Sequence, residues 1–269
     1  MIGQFIELTG VTAPAGALAP RIDMTATDLV ALSISGLKHV VAPRTFSSVP
    51  GGGVTGKCRM TNQPLITKGS QPAPLVKLVG GKPALAVSPT SAGLVGLALP
   101  PGSLTESYTI LAMVNIGEAA LAQSAPSNLI TGFDADNVFV ANPLRYNGTG
   151  GTPSDSFSAR GGDIVTNYAS VARVPGEWSL LVIDYNNATR VASIGINSAT
   201  ALATTTKPAG RTPGAGDMLQ IGYHLSGSSL RDCAIGDVFV FGTSVLSSEF
   251  GKEQIADLAA ALKREYGIA

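Results

Sequence analysis

From Tyr108 onward the chain repeats one pattern, in which short runs rich in β-branched and aromatic residues alternate with turn signals. The runs are Tyr108 to Val114, Val138 to Ala141, Trp178 to Tyr185, Arg190 to Ile196, Met218 to Tyr223 and Ile235 to Phe241. Strands of this length at this spacing specify an all-β sandwich. Trp178 to Tyr185 and Arg190 to Ile196 are joined through Asn186-Asn187, residues that tolerate the left-handed conformations of a tight turn. The two runs should therefore be antiparallel neighbours. Helical periodicity is clear at the end, where Ile255, Leu258, Ala259, Leu262 and Tyr266 share a face. Ser247 or Ser248 can cap that helix, Gly267 can close it, and its apolar face should pack on the sandwich.

Residues 1–60 read differently. Pro14, Pro20, Pro43 and Pro50 interrupt them, Gly51-Gly52-Gly53 ends the punctuation, and only Leu29 to Ile34 and Leu37 to Val41 look like short strands. The expected organisation is an extended arm over 1–60, a Pro/Gly-rich lead-in over 61–79, and a sandwich with a C-terminal helix over 80–269. Ile2, Phe5, Ile6, Leu8 and Val11 make the arm too apolar for a purely solvated tail, so it is expected to dock between subunits.

Composition narrows the function classes. Charged residues make up 13% of the 269 and the formal net charge is zero, so attraction to nucleic acid has no electrostatic source. No apolar stretch reaches the length of a membrane span, and the first residues lack the basic and apolar regions of a secretory signal. The chain is thus expected to be made in a cytoplasm. Cys58 and Cys233 lack metal-ligand spacing and read as free thiols.

The last segment, IGDVFVFGTSVLSSEFGKEQIADLAAALKREYGIA, resembles the closing strand and terminal helix of bacterial and phage laminin-G-like domains, with Asp237, Ala261 and Glu265 departing from the usual residues. GEWSLLVIDYNNATRVASIGINS resembles that family's Gly-x-Trp strand, turn and returning strand, and Gly80-Gly81-Lys82-Pro83-Ala84 the loop before its first core strand. The resemblance implies a concanavalin A-like jelly-roll sandwich and places Trp178 on a core strand. Because this fold serves lectins, adhesion modules, glycoside hydrolases and virion proteins alike, it does not fix the function.

Few residues suggest catalysis. The Glu-x-Asp-x-x-Glu strand motif that resembles sandwich glycosidases is missing, and the glutamates are scattered. Gly51 to Lys57 superficially fits a phosphate loop, but Cys58 stands at the magnesium-binding position and no helix can begin after it. His39 and His224 are the only histidines, and no nucleophile elbow accompanies them. No cofactor is expected. Asp134 and Asp136 form the best candidate for a calcium loop, and Tyr146, Phe157, Tyr168 and Tyr223 for rim aromatics gripping a glycan.

The expectation that follows is a non-catalytic structural or adhesion protein of a bacteriophage virion, a capsid decoration or tail-fibre component. Its partners would be other virion subunits through the arm and a cell-surface glycan. The alternatives are a carbohydrate-binding lectin module and, further off, a glycoside hydrolase or lyase.

Overall fold

The computed structural model describes residues 24–49, 53–70, 75–87, 94–124, 126–150, 155–161, 168–174, 178–208, 212–225, 229–230 and 232–269. The arm residues Ile2, Phe5, Ile6, Leu8 and Val11 lie outside them. The described chain starts with helix α1 (Ala26–Leu32), strand β1 (Leu37–Val41) and a small hairpin of β2 (Ser47–Ser48) and β3 (Val54–Thr55). Next come β4 (Ile66–Gly69), β5 (Leu75–Val79), β6 (Lys82–Ala86), β7 (Val95–Ala98) and β8 (Tyr108–Ile116), then the single helical turn α2 (Glu118–Leu121). Strands β9 (Pro126–Phe133), β10 (Phe139–Asn147), β11 (Ser156–Ala159) and β12 (Ala169–Ala172) form a meander. They are followed by β13 (Ser179–Asn186), β14 (Val191–Ile196), β15 (Ala203–Thr206), β16 (Met218–Tyr223), β17 (Cys233–Phe241) and the terminal helix α3 (Glu249–Tyr266).

Two antiparallel sheets result. The first runs β15-β14-β13-β8-β17-β6-β5, with β1 also on β17, and the second runs β12-β11-β10-β9-β16-β7-β4. Between them lies a core that includes Ile110, Leu129, Leu144, Tyr146, Phe157, Ile183 and Ile221. A second apolar layer forms on the outer face of the first sheet, where Trp178, Leu180, Val182, Phe239 and Phe241 meet Ile255, Leu258, Leu262 and Tyr266 of α3. Strands β8, β13 and β17 are therefore buried on both faces, which is why they read as nearly continuous apolar runs.

Local chemistry sets the turns and caps. Ser248 caps α3 by accepting from the Gly251 N–H at 3.1 Å, and Gly267 closes it at φ 70°. Val79 pairs with Lys82, leaving Gly80-Gly81 as a two-residue loop with both φ positive, the geometry of a type I′ hairpin. Strands β13 and β14 are antiparallel neighbours, as expected, but the left-handed residue of their turn is Arg190 (φ 58°). Asn186 instead accepts from the N–H groups of Ala188 and Thr189 at 3.0 and 3.2 Å.

Two expectations for the N-terminal part need correction. Leu29 to Ile34 was expected as a strand, yet Ala26–Leu32 is helical, because Thr25 and Asp28 form a capping box that satisfies the first amides of the turn. The sandwich also does not begin at Gly80. Strand β1 pairs along Val238 to Phe241, β4 and β5 are edge strands of the two sheets, and α1 lies against α3. A charge network fastens this region. Asp28 Oδ2 accepts from Arg44 and Arg59, each at 2.7 Å, and Arg44 reaches Asp237 of β17 at 2.9 Å. Tyr266 donates to the other Asp237 oxygen at 3.1 Å.

Candidate functional site

The two sheets differ on their outer faces. Helices α1 and α3 cover the first, whereas no described helix packs on the second, whose outward residues are strongly polar. Alternation explains the pattern. On β10 and β11, Tyr146, Phe157 and Ala159 point into the core, which leaves Arg145, Asn147, Ser156, Ser158 and Arg160 on the other side. On β9 and β16, Gly132, Leu219 and Ile221 point inward, which turns Thr131, Phe133 and Gln220 outward. Seven strands at ~4.8 Å spacing make this face roughly 30 Å wide.

Its polar groups are only partly satisfied. Asn142 donates to Asn128 Oδ1 at 2.8 Å and leaves its own Oδ1 buried without a partner. The amide oxygen of Gln220 is 2.9 Å from His224 Nδ1, and its amide nitrogen is buried without a partner. The same holds for Nε of Arg145 and of Arg160. Buried polar atoms normally find partners; these four, two on the nearly enclosed Asn142 and Gln220 and two on the half-buried arginines, are exceptions.

Charge on this face has one sign. None of the seven strands of the second sheet carries Asp or Glu, while β4 and β10 contribute Lys68 and Arg145 and Arg160 follows β11 directly. Burial, and then the neighbouring charge of Arg160, lower the pKa of Arg145. Burial, followed by Lys68, lowers that of His224 and favours its neutral ring. The Arg160 guanidinium lies over the Tyr168 ring at 4.8 Å from its centroid. Along the strands toward β16, Phe133, Phe139, Tyr223 and His224 form an aromatic cluster with centroids 4.4–5.8 Å apart.

Of the four expected rim aromatics, two are there. Tyr168 is 45% exposed, and Tyr223 is half-buried in the aromatic cluster. Tyr146 and Phe157 are not rim residues: both are fully buried and pack on each other at 5.4 Å. The loop-rich sequence around them suggested a rim, but the strand pleat turns them inward. Tyr146 donates to Asp155, whose carboxylate also holds the Thr149 hydroxyl and N–H. Trp178 is buried beneath α3, edge-on to Tyr266 at 4.9 Å, and its indole N–H donates to the Val79 carbonyl at 3.2 Å.

Asp134 and Asp136 sit in the β9–β10 turn, where Asp134 Oδ1 accepts from the N–H groups of Asp136 and Val138 at 3.0 and 2.8 Å. That is an Asx-type turn. Among the described residues no group of three or more His, Cys, Asp or Glu could hold a metal ion. Cys58 and Cys233 are both buried free thiols, and Cys58 lies 3.4 Å from His39 Nδ1. A groove of about 570 Å³ beside α3 is lined by Asp184, Ser193, Thr204, Ser244 and Lys252. Both oxygens of Asp184 are taken by Thr109 and Ser244, at 2.5 and 2.7 Å.

Asn142, Arg145, Arg160 and Gln220 were missed at the sequence level. The signal was the Ser-Phe-Ser-Ala-Arg alternation of 156–160, which sorts one face from the other once the strand is recognised.

Neither a family model nor a curated protein matches the chain. Solved structures do, at identities that establish the fold alone. Domain 4 of a GH43 extracellular arabinanase from Geobacillus stearothermophilus, solved with arabinotriose, aligns at TM-score 0.51 and 13% identity, over 76% of this chain and 92% of that one. The binding domain of botulinum neurotoxin serotype D aligns at TM-score 0.55 and 10% identity, over 87% of this chain and 53% of its own. A sialidase from Trypanosoma rangeli aligns at TM-score 0.54 and 12% identity, over 86% of this chain but only 33% of its own. The chain thus spans about half of the toxin domain and a third of the sialidase. It is an all-β sandwich of antiparallel sheets with a C-terminal helix.

Proposed function

We propose that the protein is a non-catalytic carbohydrate-binding module and that its glycan site is the partly exposed end of the second sheet's polar face, around Arg145, Asn147, Arg160 and Tyr168. The observation that carries this reading is the polar cluster of Arg145, Asn147 and Arg160, none of them fully buried, beside the exposed ring of Tyr168. Sugar hydroxyls both donate and accept, so guanidinium and amide groups are complementary to them. Tyr168 and Tyr223 supply faces on which a pyranose ring can stack. The lack of Asp and Glu on these strands removes the acid and nucleophile that glycoside hydrolysis requires at this face. A virion scaffold role is supported by the family resemblance, the low charge and the apolar N-terminal segment, whereas the glycan reading has a side-chain set and structural neighbours behind it.

The test is a glycan array followed by titration calorimetry. Wild type should bind at least one oligosaccharide with a micromolar Kd, and Tyr168→Ala, at a 45% exposed ring, should weaken it about tenfold without lowering the melting temperature. Absence of binding across acidic and neutral glycans, or binding indifferent to the substitution, would overturn the assignment.

A further inference from the structure

We propose that Arg145 and Arg160, with Tyr168, form a preorganised site for the anionic group of an acidic saccharide, a carboxylate or a sulfate ester. The proposal rests on the reading of this face as a glycan site and specifies the ligand's chemical class. Arg145 stands opposite Ser158, and Arg160 follows two residues later on the same side of β11. The two guanidinium-bearing residues are thus diagonal neighbours across one strand pair, roughly 7–8 Å apart. Backbone bonding fixes the arrangement, because the Arg160 N–H donates to the Asn142 carbonyl at 3.3 Å.

Like charges in that relation repel, and such a pair normally has a carboxylate between its members. Here the groups acting on Arg145 are Arg160 and Tyr168, with no carboxylate among them. Among the described residues, the other partly buried arginines are neutralised: Arg44 by Asp28 and Asp237, Arg59 by Asp28, and Arg173 by Asp155 at 3.8 Å. The pair without a carboxylate falls on the sheet whose strands carry no acidic residue, and both of its arginines keep a buried Nε with no partner, as Arg173 does. Guanidinium forks match the geometry of a carboxylate or sulfate and bind either bidentately. Tyr168 makes a cation–π contact with the Arg160 guanidinium, 4.8 Å from its ring centroid, and remains 45% exposed for contact with the sugar. An anion between the arginines would remove the repulsion between them.

Three matched probe pairs test this on the full chain at low and physiological salt: oligogalacturonate and its methyl ester, sialyllactose and lactose, and dextran sulfate and dextran. At least one acidic member should bind, its neutral partner at least tenfold more weakly, with affinity falling as salt rises. The pair that responds identifies carboxylate or sulfate as the ligand group. Arg145→Gln and Arg160→Gln should each reduce the acidic binding tenfold or more and leave any neutral binding unchanged. Equal binding of acidic and neutral members overturns the anion site while leaving the glycan reading intact. Binding of no member overturns both. Acidic binding that survives both substitutions in folded protein, or that polyphosphate matches, overturns the site as drawn. The ester comparison uses wild type only, so the test holds even if a variant fails to fold.

Discussion

Asp237 shows how one buried side chain can carry a pH dependence. Burial pushes its carboxyl up to about 6, against the opposing charge of Arg44. A carboxyl whose folded-state pKa lies above its unfolded value binds its proton more tightly in the folded chain. Its contribution therefore favours folding below the unfolded pKa and is lost as pH rises through 6. Between acid and neutral pH the loss is about 3 kcal/mol. Asp28 runs the other way, since hydrogen bonding from Arg59 and Thr25 and the charge of Arg44 prevail over its burial and lower its pKa. Its stabilisation is present at neutral pH and is lost on acidification. Asp237→Asn should therefore raise the urea midpoint at pH 7.5 and give little change at pH 4. A variant that is destabilised equally at both values would show that the Arg44 pair, not burial, dominates. Trp178→Ala should cost roughly 3–5 kcal/mol by emptying the site under α3, and wild-type stability in that variant would contradict the packing against Tyr266.

Among the elements, legibility followed burial. Strands β8, β13, β16 and β17 were readable because one or both faces are apolar over several residues, and α3 because its apolar stripe has helical period. The short edge strands β4 and β5 were not, since Ile66-Thr67-Lys68-Gly69 and Leu75 to Val79 alternate over too few residues between Pro and Gly signals. Helix α1 was misread because Leu29, Val30, Leu32 and Ile34 suggest β structure, and only the Thr25-x-x-Asp28 box reveals the helix. That misreading matters for the arm. Its described half, Met24 to Val49, supplies α1, β1 and Arg44, so deletion of residues 1–45 should lower stability by several kcal/mol rather than leave a normal sandwich. The loss has two sources: the open edge of β17 and an Asp237 stripped of its cation, and an uncompensated buried charge is costly. Sedimentation and thermal melting of the truncated chain decide it, and a cooperative transition at the wild-type temperature would contradict the integral role of β1.

Across the whole molecule, the candidate site was less legible than the fold because it is a property of one sheet face. Its members come from β10, from the end of β11, from the approach to β12 and from β16. No local motif joins them. Rim aromatics were sought in loops, where composition pointed, but two of the four belong to the interior, and the polar partners lie on strands that composition alone does not distinguish.

The pairing of β1 with β17 has a consequence for synthesis. Leu37 pairs with Phe241 and Val41 with Val238, so the partner of an early strand is translated about 200 residues later. Helix α1 waits longer still for α3, to which Thr27 is tied through Glu265. Until the ribosome has released β17 and α3, the apolar side chains of β1 have no strand to dock on, Arg44 lacks its second partner Asp237, and the second apolar layer lacks its lid. Closure of such distant pairs is slow. The nascent chain therefore carries β1 through β16 with the first sheet open along the β17 position, and the sheet is completed only when β17 and α3 reach β1 and α1.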